Sequence, residues 1–286
     1  MGSLKSIVLA GAAAFVMIPG AFAADLAPLA PPMMPVQAPA EFASGWYLRG
    51  DVGVGSQQFD NFDFTQTNQA FVWPASWRID QKDIKDTAFI GAGFGYQRNN
   101  WLRVDATGEY RMSSKVKAIG SFTEFCPGGR CFDVYDADHQ ASVFLANVYA
   151  DLGTWWCLTP FVGAGVGAAR HNIAAIHDLG VISNGFVGFG LADQDHVSWT
   201  LAWAVHAGLA YNVSNNLKLE IAYRYLNMGS PESAIVNCSS AGCGVGGGPQ
   251  AFYTLTDMTS HDFKLGMRWM LNEPAPVYAP PLMRKG

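Results

Sequence analysis

The sequence predicts an all-β fold, an eight-stranded antiparallel up-and-down transmembrane β-barrel. Eight segments alternate apolar and polar residues with period two, and each is about ten residues long, as a tilted membrane-crossing strand requires. The connections between them are alternately short and long, which a soluble β-sandwich would not need. The first residues also predict a secretory signal peptide, so we expect the protein to be exported.

The N-terminal region divides into a leader and a linker. Lys5 precedes an apolar run over residues 7–18, and Ala21-Phe22-Ala23 supplies a small-residue cleavage site. A transmembrane helix needs about 20 apolar residues, so this run is too short for one. We therefore predict a signal peptide (1–23), a Pro/Ala-rich linker (24–44), a barrel (45–271) and a Pro-rich tail (272–286).

The barrel strands follow in order along the chain. The period-two segments begin at Trp46, Thr87, Trp101, Ala141, Leu158, Ser198, Asn216 and Asp262. Short turns rich in Asn or Gly fall at 98–100, 153–157 and 214–216. The other four connections are long, at 57–86, 112–140, 170–197 and 230–261. This pattern predicts short periplasmic turns and four long extracellular loops.

Each strand has one apolar and one charged face. In the strand from Trp101, Val104 and Tyr110 share a face, and Arg103 and Asp105 share the other. Aromatic residues on the apolar faces cluster near both strand ends, as expected at two membrane interfaces. They are Trp46, Tyr96, Tyr211 and Trp269 near the short turns, and Tyr110, Trp199 and Tyr225 near the long loops. The apolar faces should therefore contact lipid and the charged faces should line the lumen.

The predicted lumen carries nearly balanced charge. Its members are Arg49, Asp51, Arg103, Asp105, Glu109, Arg111, Asp151, Lys218, Glu220, Arg224, Asp262, Lys264 and Arg268. Seven are basic and six acidic, and balanced charge favours paired ions that plug an eight-stranded lumen. A small non-specific diffusion pore is the alternative, although a selective pore would favour one sign of charge. His206 is expected to be a hydrogen-bonded residue of the same plug.

Composition limits the remaining functions. The chain is 50% hydrophobic and 14% charged, with a formal net charge of −5 and no basic run, so no nucleic-acid partner is predicted. Two cysteine pairs, Cys126/Cys131 and Cys238/Cys243, flank short turn-forming segments and predict local disulfides in an oxidising compartment. A zinc site is the weaker alternative for this spacing. Cys157 is left over, and we expect it to be a small buried residue.

Four stretches carry a family resemblance: "GWYLRGDVGVG", "FVGAGVGAA", "NLKLEIAYRYLNMG" and "HDFKLGMRWML". They resemble the small outer-membrane β-barrel (porin-like surface antigen) family of alphaproteobacteria, which shares the outer membrane protein A-like transmembrane barrel. The resemblance covers about residues 45–271. It implies a location in the cell outer membrane, contact with outer-membrane lipids and lipopolysaccharide, and loops that meet host or environmental ligands. Many such barrels end at a C-terminal aromatic residue, whereas here a tail follows Trp269.

The resemblance also bears on cofactors. Five histidines lie in or beside the long loops: His139, His171, His177, His196 and His261. Haem binding by some relatives implies that these residues could bind haem or a divalent metal, although polar residues also simply collect in loops. Ser260, His261 and Asp262 are consecutive, so on a strand they alternate faces and cannot form a catalytic triad. We predict no enzymatic activity and no required cofactor.

Overall fold

A computed structural model describes residues 44–67, 75–124, 126, 129–181, 187–192, 194–238 and 250–271. The predicted signal peptide, nearly all of the linker, and the tail lie outside these residues. Within them, no helix is long and apolar enough to cross a membrane.

The described residues form thirteen strands. Their bounds are β1 Gly45–Gln58, β2 Asn61–Gln66, β3 Arg78–Ile84, β4 Thr87–Gln97, β5 Leu102–Phe122, β6 Cys131–Asp151, β7 Leu158–Val181, β8 Val187–Ala192, β9 His196–Asn212, β10 Leu217–Asn227, β11 Val236–Cys238, β12 Gln250–Thr256 and β13 Thr259–Met270.

Eight of these strands close into a ring. Hydrogen-bonded neighbours run β1, β4, β5, β6, β7, β9, β10, β13 and back to β1, and every pair is antiparallel. The predicted eight-stranded barrel is therefore confirmed. We call the end with the short turns the short-turn end.

The outer face of the ring is apolar and exposed. Val104, Phe94, Leu265 and Ile221, on four different strands, are each 46–58% exposed. Large aromatic side chains are exposed near both ends of this band, among them Trp46 and Trp199. An apolar band between aromatic rims is the surface that a bilayer covers.

Three strands extend well beyond the membrane-spanning length. β5, β6 and β7 have 21, 21 and 24 residues, whereas a membrane crossing needs about 9–11. Residues predicted as the long connections also form strands: β2 and β3 lie in 57–86, β8 in 170–197, and β11 and β12 in 230–261. Beyond the ring the sheet order is β3, β5, β6, β7, β8, β11, β12, β2. We call this part the upper sheet.

The upper sheet encloses an apolar core. Phe62, Tyr135 and Tyr253 pack there with ring centroids 5.1 Å apart in each pair. Ile173 and Leu255 belong to the same buried cluster. The interior is therefore charged inside the ring and apolar above it.

Candidate functional site

The charged interior of the ring is the candidate functional site. All thirteen predicted lumen residues lie on the inner face, and none is more than 8% exposed. Their side chains form two groups of ion pairs at different heights in the barrel. Buried ions are costly unless they are paired and hydrogen-bonded, so these contacts determine whether the interior is stable.

Glu220 is the centre of the group nearer the short-turn end. Its carboxylate lies 3.1 Å from Arg268, 3.5 Å from Arg103 and 3.5 Å from Arg49. Because β5 and β10 lie on opposite sides of the ring, the Arg103–Glu220 contact crosses the full width of the lumen.

Each arginine around Glu220 has further neighbours. Arg49 pairs with Asp51 at 2.8 Å and with Asp105 at 2.7 Å. Arg103 pairs with Asp151 at 3.1 Å, and its guanidinium lies 4.1 Å from the ring centroid of Tyr149. Stacking on an aromatic face stabilises a guanidinium that has left water.

Strand register explains why Glu220 is needed. Arg49 pairs across the sheet with Arg268, and Arg268 pairs with Lys218, so three cations stand side by side on β1, β13 and β10. Like charges at directly opposed positions destabilise a sheet. Glu220 lies two residues above Lys218 on the same face, where its charge offsets theirs.

The second group lies nearer the upper sheet. Arg224 donates to Glu109 at 2.8 Å and through Nε to Asp262 at 2.8 Å. Arg111 donates to both of these carboxylates and to Ser260. The Arg224–Glu109 pair again joins strands on opposite sides of the ring.

A glycine makes room for this second group. A Cβ atom on Gly55 would lie 2.1 Å from an Asp262 oxygen and 2.3 Å from an Arg111 nitrogen. Both distances are far below van der Waals contact, so any side chain here would displace the ion pair. The small residue at this position therefore follows from the packing of the network.

His206 is part of the same buried interior. Its Nε2 lies 3.2 Å from Asn147 Oδ1, and Asn147 in turn donates to Asp105 at 2.8 Å. The hydrogen bond places the histidine at the edge of the group around Arg49. Ser260 and Asp262 also face inward and are buried, whereas His261 is exposed on the outer face.

The structure separates the five loop histidines. His139 and His171 are buried beneath the upper sheet with 2.9 Å between Nε2 and Nδ1, so they are not on loops. His177 is exposed on the outer side of β7, His196 is half-buried at the start of β9, and His261 lies against Tyr223. No group of three or more His, Cys, Asp or Glu in the described part of the chain is arranged to hold a metal ion.

Sequence reasoning missed an acidic pair in the upper sheet. Tyr253 donates to Asp178 at 2.9 Å, and Asp133 lies on the neighbouring strand β6. Burial, together with the charge of Asp133, raises the pKa of Asp178 to about 7, and burial raises the pKa of Asp133 to about 6. Their position among apolar residues in "FDVYD" and "IHDLG" was the available signal.

The cysteines are placed as follows. Cys126 and Cys131 form a disulfide, with Cα atoms 5.8 Å apart. The predicted Cys238–Cys243 bond lies partly outside the described residues, because Cys243 is not among them. The prediction that Cys157 is buried was wrong: it is exposed in the β6–β7 turn with φ of 68°. Two-residue hairpin turns require such positive φ values and project their side chains outward.

The fold and its lipid-facing surface define an integral β-barrel of the outer membrane. The chain belongs to the outer membrane protein β-barrel family, whose domain matches residues 15–269. It is accordingly a protein of the cell outer membrane, with the long connections outside and the short turns in the periplasm.

Individual relatives are similar over most of their length. An uncharacterised protein of Brucella suis is 30% identical and covers 88% of this chain and 93% of its own. A candidate adhesin of Rickettsia prowazekii is 27% identical over 78% of this chain and 86% of its own. Among solved structures, OprG of Pseudomonas aeruginosa has a TM-score of 0.48 at 14% identity, covering 81% of this chain and 98% of that one.

Proposed function

We propose that the protein is a closed, non-catalytic barrel that anchors a folded extracellular surface for interaction with host or environmental ligands. The observation that carries the proposal is the pair of ion contacts spanning the lumen, Arg103–Glu220 and Arg224–Glu109. Side chains from opposite walls can meet only where the lumen is filled. The apolar core above the ring adds a second obstruction.

The alternative, a small diffusion pore, makes the opposite prediction in planar bilayers. Purified, folded protein should show no regular conductance steps. Removing two of the filling side chains, Arg103→Ala with Arg268→Ala, should create them. Leu265→Ala is the matched control, because Leu265 is half-exposed on the lipid-facing wall. Regular steps from the unaltered protein would refute the closed barrel.

The surface role is supported by the extracellular architecture and by the relatives. Strands β5 to β7 continue beyond the ring, so the external surface is part of a packed sheet. Recognition residues are commonly presented by a scaffold of this kind. The similarity to candidate adhesins of Rickettsia also supports a role in binding at the cell surface.

Shortening the external part tests the surface role. In the variant, residues 115–138 are replaced by an Asn-Gly turn that joins Ser114 to His139, which face each other across β5 and β6. Cells displaying the unaltered chain should adhere to epithelial monolayers, and cells displaying the shortened chain should not. Heat-modifiable migration in gels must show that the shortened barrel has folded. Equal adhesion by the two strains would count against an extracellular binding role.

A further inference from the structure

A groove of about 630 Å³ lies in the lipid-facing wall of the barrel. Its floor contains Ala106 on β5, Ala146 on β6 and Ala164 on β7, all exposed on the outer face. Ala106 and Ala146 are directly paired across the sheet. Large side chains surround them, so these small residues leave a depression in the apolar band.

Aromatic residues border this groove. At the short-turn end, Trp46 and Tyr96 meet edge to face with centroids 5.3 Å apart. Phe94 on β4 and Val166 on β7 line its sides. Beyond the floor the ring of Phe144 lies over Gly108, where an added Cβ would touch it at 3.5 Å. The depression therefore has a floor, two sides and two ends.

The position of the groove identifies its occupant. It lies in the lipid-covered band next to the periplasmic rim, where acyl chains of the periplasmic leaflet are the available apolar ligands. A second copy of the barrel is a poorer match, because a two-fold contact would set two depressions face to face and leave a void.

An exposed cation follows the groove at its short-turn end, two residues beyond Tyr96. Arg98 follows Gln97 at the β4–β5 turn, close to Tyr96, and its side chain is exposed. No described residue forms an ion pair with it. Arginine is well suited to bind a phosphate oxygen in this interfacial position.

We propose that this groove is a binding site for a glycerophospholipid of the periplasmic leaflet, with an acyl chain along Ala106, Ala146 and Ala164 and the phosphate at Arg98. The ligand class follows from the apolar lining of the groove and from the exposed Arg98 in the turn two residues beyond Tyr96. The site is distinct from the buried ion pairs, which face the opposite side of the wall.

Native mass spectrometry of the full-length protein released from phosphatidylglycerol nanodiscs tests the proposal. The unaltered protein should retain one phospholipid. Ala106→Leu with Ala146→Leu fills the floor and should lower the retained fraction about tenfold, since it displaces the contact of several methylenes. Arg98→Gln should release the lipid at lower collision energy. Ile221→Phe, at an exposed outward position on β10 on the opposite side of the ring from β5, is the control and should change nothing.

Heat-modifiable migration must first show that each variant is folded. Equal lipid retention by the floor variant and the Ile221→Phe control would overturn the proposal. A lipid-free dimer that the floor variant dissociates would also overturn it, because the groove would then be a contact between two copies.

Discussion

Replacing Glu220 by Gln should destabilise the barrel more than any other single amide-for-acid exchange in the group nearer the short-turn end. The substitution keeps the size of the side chain and removes one negative charge. Arg49 and Arg103 retain other carboxylates, at 2.7–3.1 Å. Arg268 retains its hydrogen bond to Gln97 at 3.3 Å and its position over the Tyr47 ring, but Glu220 is its one carboxylate partner within 4 Å among the described residues. The variant therefore leaves one buried cation, Arg268, without a carboxylate partner.

The expected loss in the free energy of unfolding follows from that one unpaired charge. Breaking a buried pair by removing one partner costs about 3–5 kcal/mol. Urea unfolding of the protein in lipid vesicles, followed by tryptophan fluorescence, should therefore show a lower midpoint with an unchanged slope. Glu232→Gln is the matched control, because Glu232 is exposed and outside the ring. We expect that control to be within about 0.5 kcal/mol of the unaltered protein.

A double substitution separates the ion pair from other effects. If Glu220→Gln loses stability because Arg268 is left unpaired, then adding Arg268→Gln should restore part of that stability, since the unpaired charge is gone. The reasoning is refuted if Glu220→Gln costs no more than Glu232→Gln. It is also refuted if the two lumen substitutions simply add.

Three further outcomes can be checked together. Since Asp178 and Asp133 have raised pKa values in the folded state, of about 7 and about 6, their contribution to stability is full below pH 4 and is lost as pH rises to 7. Protease resistance of the upper sheet should fall over that range, and Asp178→Asn should flatten the profile. Reducing the Cys126–Cys131 bond should increase cleavage near residues 123–130 without altering heat-modifiable migration, because the bond closes a short external hairpin. A haem titration monitored by absorbance should be unchanged by His171→Ala, and a lost Soret shift would instead support a haem site.

The sequence was sufficient to predict the ring and its two faces. Lipid outside and ions inside impose opposite polarity on neighbouring residues, so the alternation of Arg103 and Val104 already distinguishes them. The pairing of ions could not be predicted, because Arg103 and Glu220 meet across the lumen and not along a sheet. Such a contact depends on barrel width and strand stagger, which no local pattern contains.

The upper sheet was missed for a different reason. On β5, charged residues continue at odd positions from Arg103 through Lys117, and uninterrupted alternation would place all of them inside. A bulge lies between Arg111 and Ser114, where two residues oppose one on β6. Beyond it Val116 is buried and Lys115 is exposed.

A second irregularity has the same effect on β7. The register with β6 shifts around Ala175, whose φ is 49°, so that Ile176 is buried and His177 exposed. The two irregularities occur above the lipid-facing band. They reverse the inner and outer faces where the surroundings change from lipid to water, which lets the upper interior be apolar.

Inserting one alanine between Ser113 and Ser114 should therefore disrupt the upper sheet and leave the ring in place. The bulge already absorbs one extra residue, so a second one would turn Lys115 and Lys117 inward and Val116 toward water. We expect protease cleavage within 114–140 together with retained heat-modifiable migration. A Ser113→Gly substitution keeps the residue count, so it should leave the chain resistant. If the insertion variant were equally resistant, the residue count at the bulge would not set the orientation of these side chains, and the apolar core above the ring would need another cause.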